Sequence, residues 1–390
     1  MNRNKKMLMH LNLGLGLAIS VAAGCRSLPM KEADSFGLSL IELDVSSEDL
    51  SVLNSTVWEK TPVGADVKIG GMQTRANLQY AGKSSLDDFK KNYDIKFRGD
   101  ERYLGRKEVR VSSQSVDPSA MRSMLGFWAY NVSGIDSSSV EPTTLYVNDE
   151  YRGLYFIIEN VDEYFFRSRL INYGQVYKAI FGNGNFGKET LRDPGMAFEV
   201  EEGDDDFTPI VRLTELVLSS EDTTKRIEKL GKTVSSKSML DYQATTVAIN
   251  HFDGFANNYF FFLDKGQGLY RPLPWDLDRI YERDSVIFQT GKTLWGANNL
   301  TLLLLQDPAN KKYYLEKLQS LLTGVLSKDA LYSKIDAIKS VIKGAWAADR
   351  VLTAKSRTLD TEEADLKDVI SIWQQQLLAD VQIELGKLSQ

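Results

Sequence analysis

The hydrophobic period of the chain changes once, near residue 160. From Phe36 to that point apolar and polar residues mostly alternate in steps of two. Leu38-Ser39-Leu40-Ile41-Glu42-Leu43 opens the series, and 65–69, 76–80, 93–97, 109–111 and 144–147 continue it. Such alternation predicts strands with one buried face. One helix is predicted among them. It starts at the capping-type Asp117-Pro118-Ser119-Ala120 and runs through Met121 to Trp128, with Pro where its missing N–H is harmless. Beyond residue 160 the spacing turns helical, over 161–172, 208–218, 222–252, 308–325, 328–347 and 361–388. Strands interrupt it at 175–181 and at 259–263 and 269–273, the last two a hairpin across 264–268. The pattern predicts an α+β fold with a sheet-rich N-lobe over 36–160, a mainly helical C-lobe over 161–390, and a cleft between them.

Composition agrees with a folded chain. The 390 residues are 43% hydrophobic, with 17 Tyr, 17 Phe and 6 Trp, so each half can bury a core. A net charge of −6 without a basic stripe argues against binding nucleic acid by phosphate neutralisation. With only His10 and His251 present, a His-based triad or a His-rich zinc site is excluded.

Residues 1–25 read as an export signal: Arg3, Lys5 and Lys6, then an apolar run from Leu11 to Val21, then Ala22-Ala23-Gly24-Cys25. Small residues before the sole cysteine resemble a bacterial lipobox, although Ala22 stands where Leu is usual. Residues 26–35 would be a tether from a lipid on Cys25. The expected location is extracytoplasmic and membrane-anchored, with the outer membrane favoured because Arg26 gives no retention aspartate.

Chemistry concentrates in two segments, His251-Phe252-Asp253-Gly254-Phe255-Ala256-Asn257-Asn258 and Pro274-Trp275-Asp276-Leu277-Asp278. An Asp with an Asn five residues on, then a second acidic cluster, is the set that metal-dependent phosphoryl transfer from a nucleotide needs. Asp276 and Asp278 would share one face of an extended chain, where their repulsion favours a hard cation such as Mg²⁺ or Mn²⁺. Plain alternatives are turn-forming Asp and Asn residues, and a salt bridge from one of the acids to Arg271 or Arg279. Gly182-Asn183-Gly184-Asn185-Phe186-Gly187 fits G-x-G-x-x-G, but no helix pattern follows it, and it reads as a loop. The acidic run Glu199 to Asp206 reads as a solvated loop.

The chain resembles the CotH family, spore-coat-protein-type kinases with an atypical protein-kinase-like fold. The resemblance rests on ordered segments: Gly82-Lys83-Ser84-Ser85, Phe89 to Phe97, Asp117 to Arg122, Tyr146 to Tyr155, Glu159-Asn160-Val161-Asp162, Asp253 to Tyr259, and Pro274 to Asp278. It implies a two-lobed kinase-like fold and transfer of the ATP γ-phosphoryl group to Ser or Thr of a protein. Asp253 would be the catalytic aspartate; Asn258, Asp276 and Asp278 would hold the metal. Lys96, facing inward from its strand, would pair with the phosphates, with Lys91 as its rival. Gly82, Lys83 and Ser84 would cover the phosphates, Arg122 would add a contact, and Glu159 would lie near the adenine. The family's Arg-Gly-Asn at the phosphate loop is replaced by Ala81-Gly82-Lys83. That departure keeps open a non-catalytic, pseudokinase-like binding or adhesion lipoprotein, and the metal site would also serve nucleotidyl transfer.

Overall fold

The computed structural model describes residues 35–284, 294–354 and 357–388. The export signal with Cys25, and the tether up to residue 34, lie outside them. No helix among the described residues is long and apolar enough to cross a membrane.

The alternating segments of the first half become β1 (Ser39–Asp44), β2 (Val63–Ile69), β3 (Met72–Ala81), β4 (Asn92–Phe97), β5 (Glu108–Ser112), β6 (Val140–Val147) and β7 (Glu150–Ile158). The order β1-β2-β3-β4-β5-β7-β6 closes into a barrel through a parallel pairing of β1 with β6, Ile41 lying opposite Leu145. Closure leaves no unpaired edge in this half. Every second side chain turns inward: Ile41, Leu43, Val67, Ile69, Leu78, Ile95, Val109 and Leu145 are all essentially inaccessible and form one core.

A second sheet, in the order β11-β10-β8-β9, belongs to the other half. Its strands are β8 (Tyr173–Ala179), β9 (Phe198–Glu202), β10 (Tyr259–Asp264) and β11 (Leu269–Pro274). Strand β9 takes up part of the acidic run expected to be loop. Its Glu199 and Glu201 point outward while Phe198 is buried. The helices Pro308–Thr323 and Lys328–Ala348 start at side-chain caps from Asp307 and Ser327, and Leu359–Leu388 completes the packing. The expected helix over 222–252 is two, Thr223–Leu230 and Ser236–Ala248. Between them the chain bonds to Tyr270 of β11, and Ser235 caps the second helix.

The helix of the first half begins at Arg122 rather than at 117, and runs Arg122–Val132. Asp117 is fully buried, and instead of capping in the ordinary way it folds the chain into a turn. Its carboxylate accepts from the Ser119 N–H and hydroxyl and from the Arg122 N–H and guanidinium. This helix sends Leu125, Phe127 and Tyr130 into the core of the C-terminal half, not into the barrel.

One buried ion pair fastens the halves. Lys90, just ahead of β4, donates to Asp349 at 2.7 Å and to the carbonyls of Ser113 and Leu154 at 2.9 and 2.5 Å. Asp349, at the end of the Lys328–Ala348 helix, also accepts from the Leu154, Val351 and Leu352 N–H groups. Gly153 (φ +112°) makes the approach feasible, since a Cβ there would stand 2.1 Å from the Asp349 carboxylate.

Candidate functional site

Asp253 sits in the short turn Phe252–Phe255 that follows the Ser236–Ala248 helix. Buried groups hold this turn from below. Tyr242 donates its hydroxyl to the Gly254 carbonyl at 3.0 Å, and His251 pairs through Nδ1 with the Tyr130 hydroxyl, also at 3.0 Å. A Cβ on Gly254 would stand 2.5 Å from the His251 ring, so glycine is required there. Burial lowers the His251 pKa to about 3, which makes it a neutral packing group. On the other side the Ala256 carbonyl accepts from the Gly184 N–H at 2.8 Å. The G-x-G-x-x-G segment is therefore a prop for the Asp253 turn. A single-turn helix, Lys188–Arg192, does follow it, contrary to the expectation of none.

Asn258 adopts the left-handed conformation (φ +48°), which Asn tolerates better than most side chains. Its carbonyl accepts from the Trp275 N–H at 3.0 Å, and this bond sets the end of β11 beside the Asp253 turn. Asp276 is also left-handed (φ +54°), so Asp276 and Asp278 are not two residues of an extended strand. Between them Leu277 is wholly buried against the Arg122–Val132 helix, where Gly126 leaves room; a Cβ on Gly126 would lie 2.8 Å from that of Leu277. The leucine fixes the chain, and of the flanking acids Asp276 is exposed and Asp278 half-buried. Gly126→Ala is accordingly expected to cost about 1–3 kcal/mol by overpacking. Urea unfolding measures that cost, and the Asp276–Leu277–Asp278 segment is where it would be felt.

Burial and mutual repulsion act on the three acids to different degrees. Burial raises the Asp253 pKa, and Asp276 and Glu282 add to the rise while Arg279 opposes it. Asp278 is pushed well up by burial and then by Asp276, Asp117 and Asp253. Asp276 is raised by the protein crowding it, although it opens to solvent, as a side chain on a cleft wall does; Arg110, Lys178 and Arg279 resist that rise.

Other site residues predicted from the sequence fall as follows. Lys96 does not face inward: Ile95 and Phe97 fill the barrel, and Lys96 points out of it. With Pro62, Asn77, Gln79, Asp94 and Glu108 it lines a cavity of about 290 Å³ on that outer face. Lys91 is bound to the Leu86 carbonyl. Gly82 (φ +102°) makes the turn after β3, with Ser84 starting the short turn Ser84–Asp87. Lys83 lays its ammonium over the Phe181 ring, 4.1 Å from the centroid, and bridges the two halves. Arg122 is committed elsewhere, to Asp117 at 2.6 Å and to the Ile280 carbonyl at 2.9 Å, and so steadies the loop after Asp278. Glu159 is a buried strut whose carboxylate is held by Arg169 and the Ser139 N–H, and its own N–H donates to the Ser139 carbonyl.

Arg110 and Lys178 were missed by sequence reasoning. Arg110 lies opposite Asp94 across β4 and β5 and grips it with two bonds of 2.8 and 3.0 Å, with the Trp275 ring 5.7 Å away. Lys178 stands 5.8 Å from the same ring and pairs with Glu201 at 3.1 Å. A lone cation inside an apolar strand, as in Val109-Arg110-Val111 and Tyr177-Lys178-Ala179, was the available signal.

Comparison with known proteins agrees with the sequence resemblance. Inner spore coat protein H of Bacillus subtilis (strain 168) is 27% identical over 319 residues, which cover 78% of this chain and 87% of that protein. The solved structure of a Helicobacter pylori proinflammatory kinase, CtkA, aligns over 74% of this chain and 94% of its own with a TM-score of 0.34 and 10% identity, too loosely to support an argument. The family described as CotH kinase protein matches residues 78–375, about three quarters of the chain, and the chain belongs to it.

Proposed function

We propose that this chain is a two-lobed, metal-dependent protein kinase. It would transfer the ATP γ-phosphoryl group to Ser or Thr of an extracytoplasmic protein while anchored to the cell envelope, with the outer membrane favoured, by a lipid on Cys25. The observation that carries the reading is the meeting of the Asp253 turn with the Asp276–Leu277–Asp278 segment, where Asp276 makes it harder for Asp253 to stay ionised and both do so for Asp278. A purely structural site has no need of such repulsion. Among the described residues no group of three or more His, Cys, Asp or Glu side chains could hold a metal ion alone. Mg²⁺ or Mn²⁺ needs only one or two carboxylates together with substrate phosphates. Asp276, Asp278 and the Asn258 amide would hold the ion, which when bound neutralises charge on the phosphates.

Asp253 would accept the proton of the acceptor hydroxyl as the new O–P bond forms and the bond to the β-phosphate oxygen breaks, releasing ADP. Its raised pKa makes it a better base than a solvated aspartate. The remaining catalysis is positioning by the turn under Asp253 and by the buried Leu277. The test is transfer of labelled γ-phosphate from ATP with Mg²⁺ or Mn²⁺ by the chain from Arg26 onward, beside Asp253→Ala and Asp276→Ala. Incorporation lost in both variants supports the kinase. A chain that neither transfers phosphate nor binds nucleotide supports the non-catalytic reading, which the Ala81-Gly82-Lys83 loop and the seating of Lys83 on Phe181 favour.

A further inference from the structure

We propose that Arg110 and Lys178 form a two-sided cationic clamp for the polyphosphate of the nucleotide, one jaw supplied by each half of the molecule around Trp275. The proposal rests on the kinase reading, and it says which residues supply the positive charge that the loop after β3 does not. That loop brings one cation, Lys83, and its ammonium is already seated on Phe181.

Trp275 is the fixed centre. It is nearly buried, its backbone N–H is bonded to the Asn258 carbonyl, and Phe260 meets it edge-on with ring centroids 5.4 Å apart. Arg110 reaches it from β5 of the barrel and Lys178 from β8 of the second sheet. The residue after Trp275 is Asp276, so both cations stand beside the metal-holding end of the site. Both are within electrostatic reach of its carboxylate.

Each jaw is held ready rather than neutralised outright. Asp94 takes Nε and one terminal nitrogen of Arg110, and the other terminal nitrogen has none of these bonds. Lys178 shares Glu201 at 3.1 Å in a pair about a quarter exposed, and Phe260 lies 5.7 Å from its ammonium. A polyphosphate outcompetes a half-solvated carboxylate for an ammonium because it brings several charges at once. Lys60 is a third cation close by: after burial, Arg110 and Lys178 help to lower its pKa, while Asp94 and Glu199 oppose them. One jaw lies on the barrel and the other on the second sheet, so a bound polyphosphate would tie the two halves together.

The test is calorimetric titration of the mature chain with inorganic tripolyphosphate, ATP and adenosine in the presence of Mg²⁺, beside Lys178→Met and Lys178→Arg. Lys178 is partly exposed, and the methionine keeps its apolar stem, so unfolding temperatures near that of the unmodified protein verify that the variants fold. Lys178→Met is expected to weaken tripolyphosphate and ATP at least tenfold and leave adenosine unchanged, with Lys178→Arg recovering most of the loss. In labelled transfer, KM for ATP should rise more than kcat falls. Equal tripolyphosphate affinity in Lys178→Met, or an equal loss for adenosine, overturns the clamp. An unmodified protein that binds tripolyphosphate through Lys178 but transfers nothing overturns the kinase and keeps the clamp. One that transfers phosphate with KM unaltered by Lys178→Met does the reverse, and failure to bind either phosphate ligand removes both.

Discussion

Asp349→Ala is expected to destabilise the protein by about 3–5 kcal/mol, because it strands the Lys90 ammonium in a site where both side chains are almost wholly excluded from water. Three further losses accompany it. The Leu154 N–H loses its acceptor, and the N–H groups of Val351 and Leu352 lose their cap. Burial lowers the Lys90 pKa while Asp349 raises it, so removing the carboxylate favours the neutral amine in the folded state. The variant should therefore lose further stability as pH falls, since the unfolded chain takes up a proton that the folded one resists. Thermal unfolding at several pH values checks this. The double variant Lys90→Met, Asp349→Asn should lie well above the sum of its two single losses, because it removes the stranded charge as well as the pair. Additive losses would show that the ion pair is not the joint between the halves.

The second large effect is on chemistry, with an opposite effect on stability. Asp253→Ala is expected to reduce phosphoryl transfer by about 10²–10⁴-fold, the usual worth of a positioned general base. Asp278→Asn should also abolish or severely reduce transfer, yet leave the metal-free protein more stable, by on the order of 1 kcal/mol or about 2 °C in Tm. The sign follows from the direction of the shift. A carboxylate whose folded pKa lies above its unfolded one opposes folding when both states are ionised, and that penalty fades as pH falls through the folded value toward the ordinary range near 4. The gain from Asp278→Asn should therefore be largest at neutral pH and shrink in acid. Mg²⁺ with ATP should raise the Tm of the unmodified protein and not that of the variant. A variant no more stable than its parent at pH 7 would mean that the acids do not repel one another as described.

The division into a strand-rich and a helix-rich half was legible because alternation of two and spacing of 3.6 are both local properties. Barrel closure was not, since nothing in β1 or β6 alone announces that Ile41 will meet Leu145. Helix starts were legible where a cap serves a single helix, as Asp307 and Ser327 do. The start failed at Asp117, whose carboxylate is drawn into a tight turn by Ser119 and Arg122. At the site, the segments that bear Asp253, Asn258, Asp276 and Asp278 could be read as chemistry because their residue types are unusual together. Lys96 was assigned the wrong face because the inside of a closed barrel is apolar, and it takes Ile95 and Phe97. Arg122 and Glu159 looked available because their partners, Ile280 and Arg169, are fixed only by the fold. Arg110, Lys178 and the Lys90–Asp349 pair depend on contacts between distant segments, in the last case 259 residues apart.

The parallel seam of the barrel also bears on how the chain folds. Five of the six remaining pairings in the barrel join strands consecutive in the chain, whereas β1 meets β6 across a separation of about a hundred residues, as in the Thr143 hydroxyl bonded to the Ser39 carbonyl. Contacts of such long range form late, after the entropy of closing a large loop has been overcome. During synthesis the first strand must wait until Val147 has left the ribosome, and until then β1 keeps an unpaired edge. A chain kept unfolded until it is complete would be spared that wait, because β1 and β6 would then become available together.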